Sequence, residues 1–205
     1  MKSLWLSVGI AMALWFVMFS PWTASNVNFW IVMSCSSAVL VVLSLLFGHD
    51  WLHDIHVTTK NVLIGLLIAV VLWGIFWLGD KLSQLLFDFA RPQVTHIYAM
   101  GHGTNQTLIA LLLVFIIGPA EEIFWRGYVQ RTLMHRWNAN TGFITTTLIY
   151  TMIHIWSFNF MLIMAALVVG VFWGLIYRMW PKCSLFPLIL SHALWDCAAF
   201  VIFPF

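Results

Sequence analysis

Glu121 and Glu122 stand side by side after Gly118-Pro119, at the end of an apolar run from Leu108 to Ala120, and Arg126 follows one helical turn later. Ionisable groups are costly in lipid, so charge placed in such a run marks a site. His154 lies in a second apolar run, and His192 with Asp196 in a third. A carboxylate, two imidazoles and a second carboxyl form a set able to activate water and stabilise an oxyanion. Neighbouring helix positions point about 100° apart, so Glu121 and Glu122 face different ways. Glu122 and Arg126 are four apart, share a face and pair. That spacing assigns support to Glu122 and Arg126 and chemistry to Glu121. His192 and Asp196 are also four apart and share a face. Pro119 has no N–H to donate and kinks its helix, which leaves carbonyls near Phe115 open to a water-lined pocket.

Lipid is the medium in which these residues must be held. With 62% hydrophobic residues, 8% charged residues and 13 tryptophans, and a mean hydropathy of +0.96, the chain cannot present a polar surface to water. The expected class is an all-α, polytopic transmembrane helix bundle. A span needs about 20 apolar residues, and such runs lie near 3–20, 28–47, 61–79, 107–126, 142–157, 159–178 and 184–204, giving about seven spanning helices. Lys2 ahead of the first run resembles a signal peptide, but no small-x-small cleavage site follows, so a retained helix is expected.

Positive residues favour cytoplasmic loops. A cytoplasmic N-terminus collects Lys2, Lys60, Arg126, Arg131, Arg136, Arg178 and Lys182 on that side and leaves Lys81 and Arg91 outside. No basic run points to nucleic acid. Cys35, Cys183 and Cys197 lack metal-ligand spacing and read as buried small apolar residues. The connection from Asp80 to Gln106 opens with an apolar face at Leu82, Leu85, Leu86 and Phe89, which predicts an interfacial amphipathic helix ended by Arg91-Pro92. A turn follows at Gly101–Asn105, with Thr104 or Asn105 as the next helix cap. One integral membrane domain, 1–205, is expected: N-terminal spans and the interfacial helix in 1–106, and a motif-bearing core in 107–200.

At about 1.5 Å of rise per residue, Glu121 lies about 9 Å from the inner face of a hydrocarbon core about 30 Å thick. The same arithmetic puts His154 and Asp196 at about 18 Å and His192 at about 12 Å. The residues therefore fall in one layer, and the site is expected near the inner face.

The order Glu121-Glu122-x-x-x-Arg126, Tyr150-x-x-x-His154, His192-x-x-x-Asp196 resembles the three motifs of the CPBP family. This is the family of CAAX prenyl endopeptidases and bacteriocin-processing membrane proteins, also called Abi proteins. The resemblance covers about residues 107–200. It implies a glutamic intramembrane endopeptidase in which Glu121 and His154 activate the attacking water while His192 and the residue at 196 stabilise the oxyanion. The family often has phenylalanine where this chain has Tyr150, and asparagine where it has Asp196. Aspartate donates a hydrogen bond only when protonated; as an anion it would instead orient His192.

Glutamate, two histidines and aspartate also form a zinc-compatible set, although no His-Glu-x-x-His helix is present. The resemblance implies glutamate-activated water without a required metal, so no cofactor is expected and zinc is the less favoured reading. His49, His53 and His56 with Asp50 and Asp54 have helical spacing fit for a metal, yet read more simply as a solvated loop. His96, His102 and His135 read as loop or interfacial residues. The expected partners are the lipid bilayer and a hydrophobic or lipidated protein substrate reaching the site laterally. Prenylated CAAX proteins, bacteriocin or pheromone precursors and membrane-anchored sorting tails all fit. The expected location is a prokaryotic inner membrane. The competing class is a non-catalytic scaffold or bacteriocin-immunity protein that uses the same polar cavity, or a proton-coupled transporter, which the lack of inverted repeats disfavours.

Overall fold

The computed structural model describes residues 1–180 and 184–205, and among these it contains helices and no strand. Eight helices are used below: α1 (Lys2–Phe19), α2 (Phe29–Phe47), α3 (Thr59–Leu86), α4 (Ala90–Ala99), α5 (Gln106–Arg136), α6 (Ala139–Met152), α7 (Phe160–Met179) and α8 (Phe186–Ile202). Their starts follow local capping chemistry. The side chains of Asn28, Thr58, Asn105, Asn138 and Asn159 each accept a backbone N–H from the first turn of the helix that follows. Gly103, at φ 77°, turns the chain into the Asn105 cap in a conformation glycine adopts without strain.

Helices occupy all seven expected runs, and five of them, α1, α2, α3, α5 and α7, are long and apolar enough to cross a membrane. The protein is an integral membrane protein. α6, with 14 residues, is about 21 Å long and falls short of a bilayer core about 30 Å thick. α8 is a shorter apolar helix as well.

Between residues 80 and 100 the structure corrects the sequence reading. α3 does not stop near residue 79 but continues for 28 residues to Leu86, so Leu82, Leu85 and Leu86 extend the third span rather than form a separate interfacial helix. Arg91-Pro92 begins a helix instead of ending one: both lie in the first turn of α4. The first four N–H groups of a helix have no intrahelical partner, so the missing proline donor costs nothing there.

α3 packs along α8, α7 along α6 and α1 along α2, with α5 between these pairs. Trp15, Leu40, Leu72, Phe124, Trp125 and Trp173 are buried between helices. Leu66, Leu67, Val70 and Val71 on α3 face outward, as a lipid-facing surface should. Cys35 is exposed on that outer surface rather than buried, Cys197 is buried, and both are free thiols; Cys183 lies outside the described residues. Gly118 permits a close helix-to-helix approach in the bundle interior. A Cβ there would stand 2.8 Å from the backbone N and Cα of Ala193, so only glycine lets α5 touch α8 at this level.

Candidate active site

The kink expected at Pro119 is spread over two π-helical stretches of α5, Leu113–Ile117 and Ile123–Gln130, with the two glutamates between them. Phe115 points outward. Its side chain is not part of the cavity wall, but Leu113 and Ile117 on either side of it are.

Glu122 is fully buried and acts as a junction. Its Oε1 accepts from Arg126 Nη1 at 2.8 Å and from His192 Nδ1 at 2.8 Å. The first bond is the i,i+4 pair anticipated from sequence. The second crosses to α8 and results from the Gly118 contact, which brings Ala193, and hence its neighbour His192, against α5. Arg126 donates onward to the backbone carbonyl of Val169 at 3.3 Å and lies over the rings of Tyr150 and Trp173. Trp173 stacks on His192 with ring centroids 3.9 Å apart. The imidazole plane is thereby fixed from one face and one edge.

Glu121 takes the other direction. Its Oε2 accepts the hydroxyl of Tyr150 at 2.9 Å. The hydroxyl that distinguishes this chain from the usual phenylalanine therefore holds the glutamate.

His154 does not sit inside a span. α6 ends at Met152, and the ring belongs to the turn that follows, closed by a short 3-10 segment, Ile155–Ser157, and by Phe158 at φ 49°. The carbonyls of a helix's last turn lack intrahelical partners, and His154 uses one: its Nδ1 lies 2.8 Å from the Tyr150 carbonyl oxygen. A carbonyl only accepts, so the ring proton is on Nδ1. Nε2 then carries the lone pair and accepts the indole N–H of Trp15, on α1, at 3.1 Å.

Asp196 shares a face with His192, as the spacing of four anticipated. Glu122, not Asp196, holds His192 through Nδ1, while Asp196 Oδ2 stands 3.4 Å from His192 Nε2. Carboxyl groups of Glu122 and Asp196 therefore flank the two nitrogens of the His192 ring. No sequence signal marks the Glu122 link.

Glu121, His154, His192 and Asp196 all line one cavity of about 590 Å³. Glu122 and Arg126 are buried behind its wall. Apart from these polar groups the lining is mostly apolar, with Phe29, Trp30, Phe76 and Phe160 among it. The wall is drawn from the C-terminal halves of α1 and α3, the N-terminal halves of α2, α5 and α7, α4, the end of α6 with the turn that carries His154, and α8 from His192 onward. All of these lie at the end of the bundle away from Lys2. The sequence expected the site near the face where the N-terminus lies, whereas the space is at the opposite end, because α6 stops short and α4 folds over the resulting recess. Gln93 ties that cover down: its backbone carbonyl accepts from Asn159 and its side-chain oxygen from the Met161 N–H.

Residues 103–198 match the family described as type II CAAX prenyl endopeptidase Rce1-like. The motif-bearing segment is Rce1-like. The Rce1-like segment contains Glu121, Glu122, Arg126, Tyr150, His154, His192 and Asp196, so the resemblance drawn from three short motifs holds at the level of the family. No curated protein and no solved structure matches the chain. Trp15 and most of the cavity's apolar wall lie outside the matched residues.

Among the described residues, no three His, Cys, Asp or Glu side chains are grouped to hold a metal ion. The loop at His49–Asp54 is a 3-10 segment in which Asp54 pairs with Arg131.

Proposed function

We propose that this protein is an intramembrane endopeptidase that uses Glu121 to activate water against a peptide bond of a hydrophobic or lipidated substrate. One observation carries the reading: Glu121, His154, His192 and Asp196, drawn from three motifs far apart in the chain, line one mostly apolar cavity, while Glu122 and Arg126 are buried behind its wall. Tyr150 occupies one carboxylate oxygen of Glu121, which leaves the other for a water. Glu121 takes a proton from that water, and the hydroxide adds to the scissile carbonyl carbon. His192, bonded to Glu122 through Nδ1, presents Nε2 beside Asp196 to the developing oxyanion, as an imidazolium donor. The C–N bond then breaks, and Glu121 returns its proton to the leaving amine. His154 forms the side wall of the water site.

The reading requires no metal. His154 has no free lone pair to offer one, since both ring nitrogens are engaged. Thorough chelation should therefore leave turnover unchanged; a loss that one metal ion restores would replace this mechanism.

Lys2, Lys60, Arg131, Arg136 and Arg178 lie at the N-terminal end of the bundle, against Lys81 and Arg91 at the other. Arg126 drops out of that count because it is buried against Glu122. The excess favours a cytoplasmic N-terminus, in a prokaryotic inner membrane. Substrate then meets Glu121 from the outer half of the bilayer.

The deciding experiment is a comparison of membrane-protein termini in cells expressing the native chain or a folded Glu121→Ala variant at equal levels. Termini that disappear with Glu121 establish proteolysis and identify the substrate. Unchanged termini across growth conditions would overturn it in favour of a partner-binding role for the cavity.

A further inference from the structure

We propose that Trp15 is a positioning residue of the site, supplied by a helix outside the Rce1-like segment, and that its indole N–H, acting with the Tyr150 carbonyl, holds His154 in one neutral tautomer and one orientation. The inference rests on the endopeptidase reading for its catalytic meaning, but the contact itself does not.

Trp15 is fully buried on α1, and 139 positions separate it from His154. Its Nε1 is 3.1 Å from His154 Nε2, and the two rings meet edge to face with centroids 6.1 Å apart. An indole N–H only donates, so Nε2 must be the unprotonated nitrogen. That requirement matches the one imposed from the other side, where the Tyr150 carbonyl needs a proton on Nδ1. The two contacts together select one neutral tautomer of the ring. An imidazolium would set an Nε2–H against the indole N–H. It would therefore have to displace Trp15.

The surroundings leave no other group to do this. Phe19 of α1 packs on the imidazole with centroids 5.6 Å apart, and Tyr150 of α6 lies on another side at 5.3 Å. Neither presents a charge to Nε2. Glu121 is engaged by the Tyr150 hydroxyl, and His192 and Glu122 are engaged with one another. Trp15 and Phe19 both line the cavity, so a substrate in the cavity lies against the same helix that holds the histidine. α1 thereby becomes part of the active site and not only a membrane anchor.

The test is the ¹⁵N spectrum of histidine-labelled protein in detergent or nanodiscs, with His154→Gln used to assign the ring. The native protein should show His154 with a protonated Nδ1 and a non-protonated Nε2 in the position typical of a hydrogen-bond acceptor. In Trp15→Phe the Nε2 resonance should move to that of a free imine nitrogen while the Nδ1–H signal stays. Phe19→Leu, which alters packing but keeps the indole, should leave Nε2 in place. Should Trp15→Phe not fold, a scalar coupling across the Trp15 to His154 hydrogen bond in the native protein gives the same information.

In a cleavage assay, Trp15→Phe should lower kcat by roughly tenfold or more with little change in KM, because loosening the wall that places the attacking water costs rate more than binding. A native His154 protonated on Nε2, an unchanged Nε2 signal in Trp15→Phe, or an unaltered kcat in that variant would each overturn the proposal. The ¹⁵N result stands apart from turnover: if the tie is found but no protein is cleaved, the endopeptidase reading fails and the contact remains.

Discussion

Glu121 and Glu122 are adjacent in the chain and have opposite surroundings. Glu122 is sealed behind the cavity wall with one oxygen shared between Arg126 and His192, so its charge is matched by partners that cannot leave without exposing a bare ion. Glu121 is gripped by a single neutral hydroxyl and otherwise faces an apolar space large enough for a peptide segment. The difference teaches how a helix interior separates structure from chemistry: one residue of rotation decides whether a carboxylate joins the packing or is left available to react. Hydrogen bonds between buried charged groups rigidify their surroundings.

Breaking the open side should have the largest effect. Glu121→Gln keeps shape and removes the proton acceptor, so cleavage should fall by about 10²–10⁴-fold with the fold intact, measured as turnover and as helical content of the purified protein. The sealed side should fail in stability instead. Glu122→Ala leaves the Arg126 guanidinium buried without its partner and should cost about 3–5 kcal/mol in thermal or denaturant unfolding in detergent. Removing both charges in Glu122→Ala/Arg126→Met should cost less than Glu122→Ala alone; a larger loss would contradict the assignment of Glu122 as a charge-matched junction.

Smaller changes sharpen the contrast. Tyr150→Phe deletes only the hydroxyl on Glu121, and a hydrogen bond to a charged group contributes about 1.5–3 kcal/mol. At least a tenfold fall in kcat with an unchanged melting temperature is expected. Equal losses in kcat and stability would make Tyr150 a packing residue. Arg131→Ala, which breaks the half-exposed pair with Asp54 far from the cavity, should change unfolding by no more than about 1 kcal/mol and leave turnover alone.

Pairs that repeat within a helical turn were legible in the sequence. The Glu122 to Arg126 bond, the shared face of His192 and Asp196 and the Asn105 cap all follow from residues within one turn of each other. The 28-residue length of α3 was not legible, since hydropathy fades near residue 79 while the backbone hydrogen bonds continue to Leu86. Nor was the position of His154 past the end of α6: its apolar neighbours read as a continuing span, and only the left-handed Phe158 and the Asn159 cap reveal the turn.

The sequence by itself determined that the chain lives in a membrane, that its elements are helices, and that chemistry concentrates in three short motifs, because hydropathy and helical periodicity are local properties. Only the tertiary structure decided which carboxylate holds His192, across 70 positions, and which residue caps His154, across 139. Those bonds exist because a glycine at 118 admits α8 and because α1 packs against the Ile155–Ser157 turn that follows the shortened α6. Contacts between distant segments are set by how helices fit together, and no periodicity along a single helix encodes that fit.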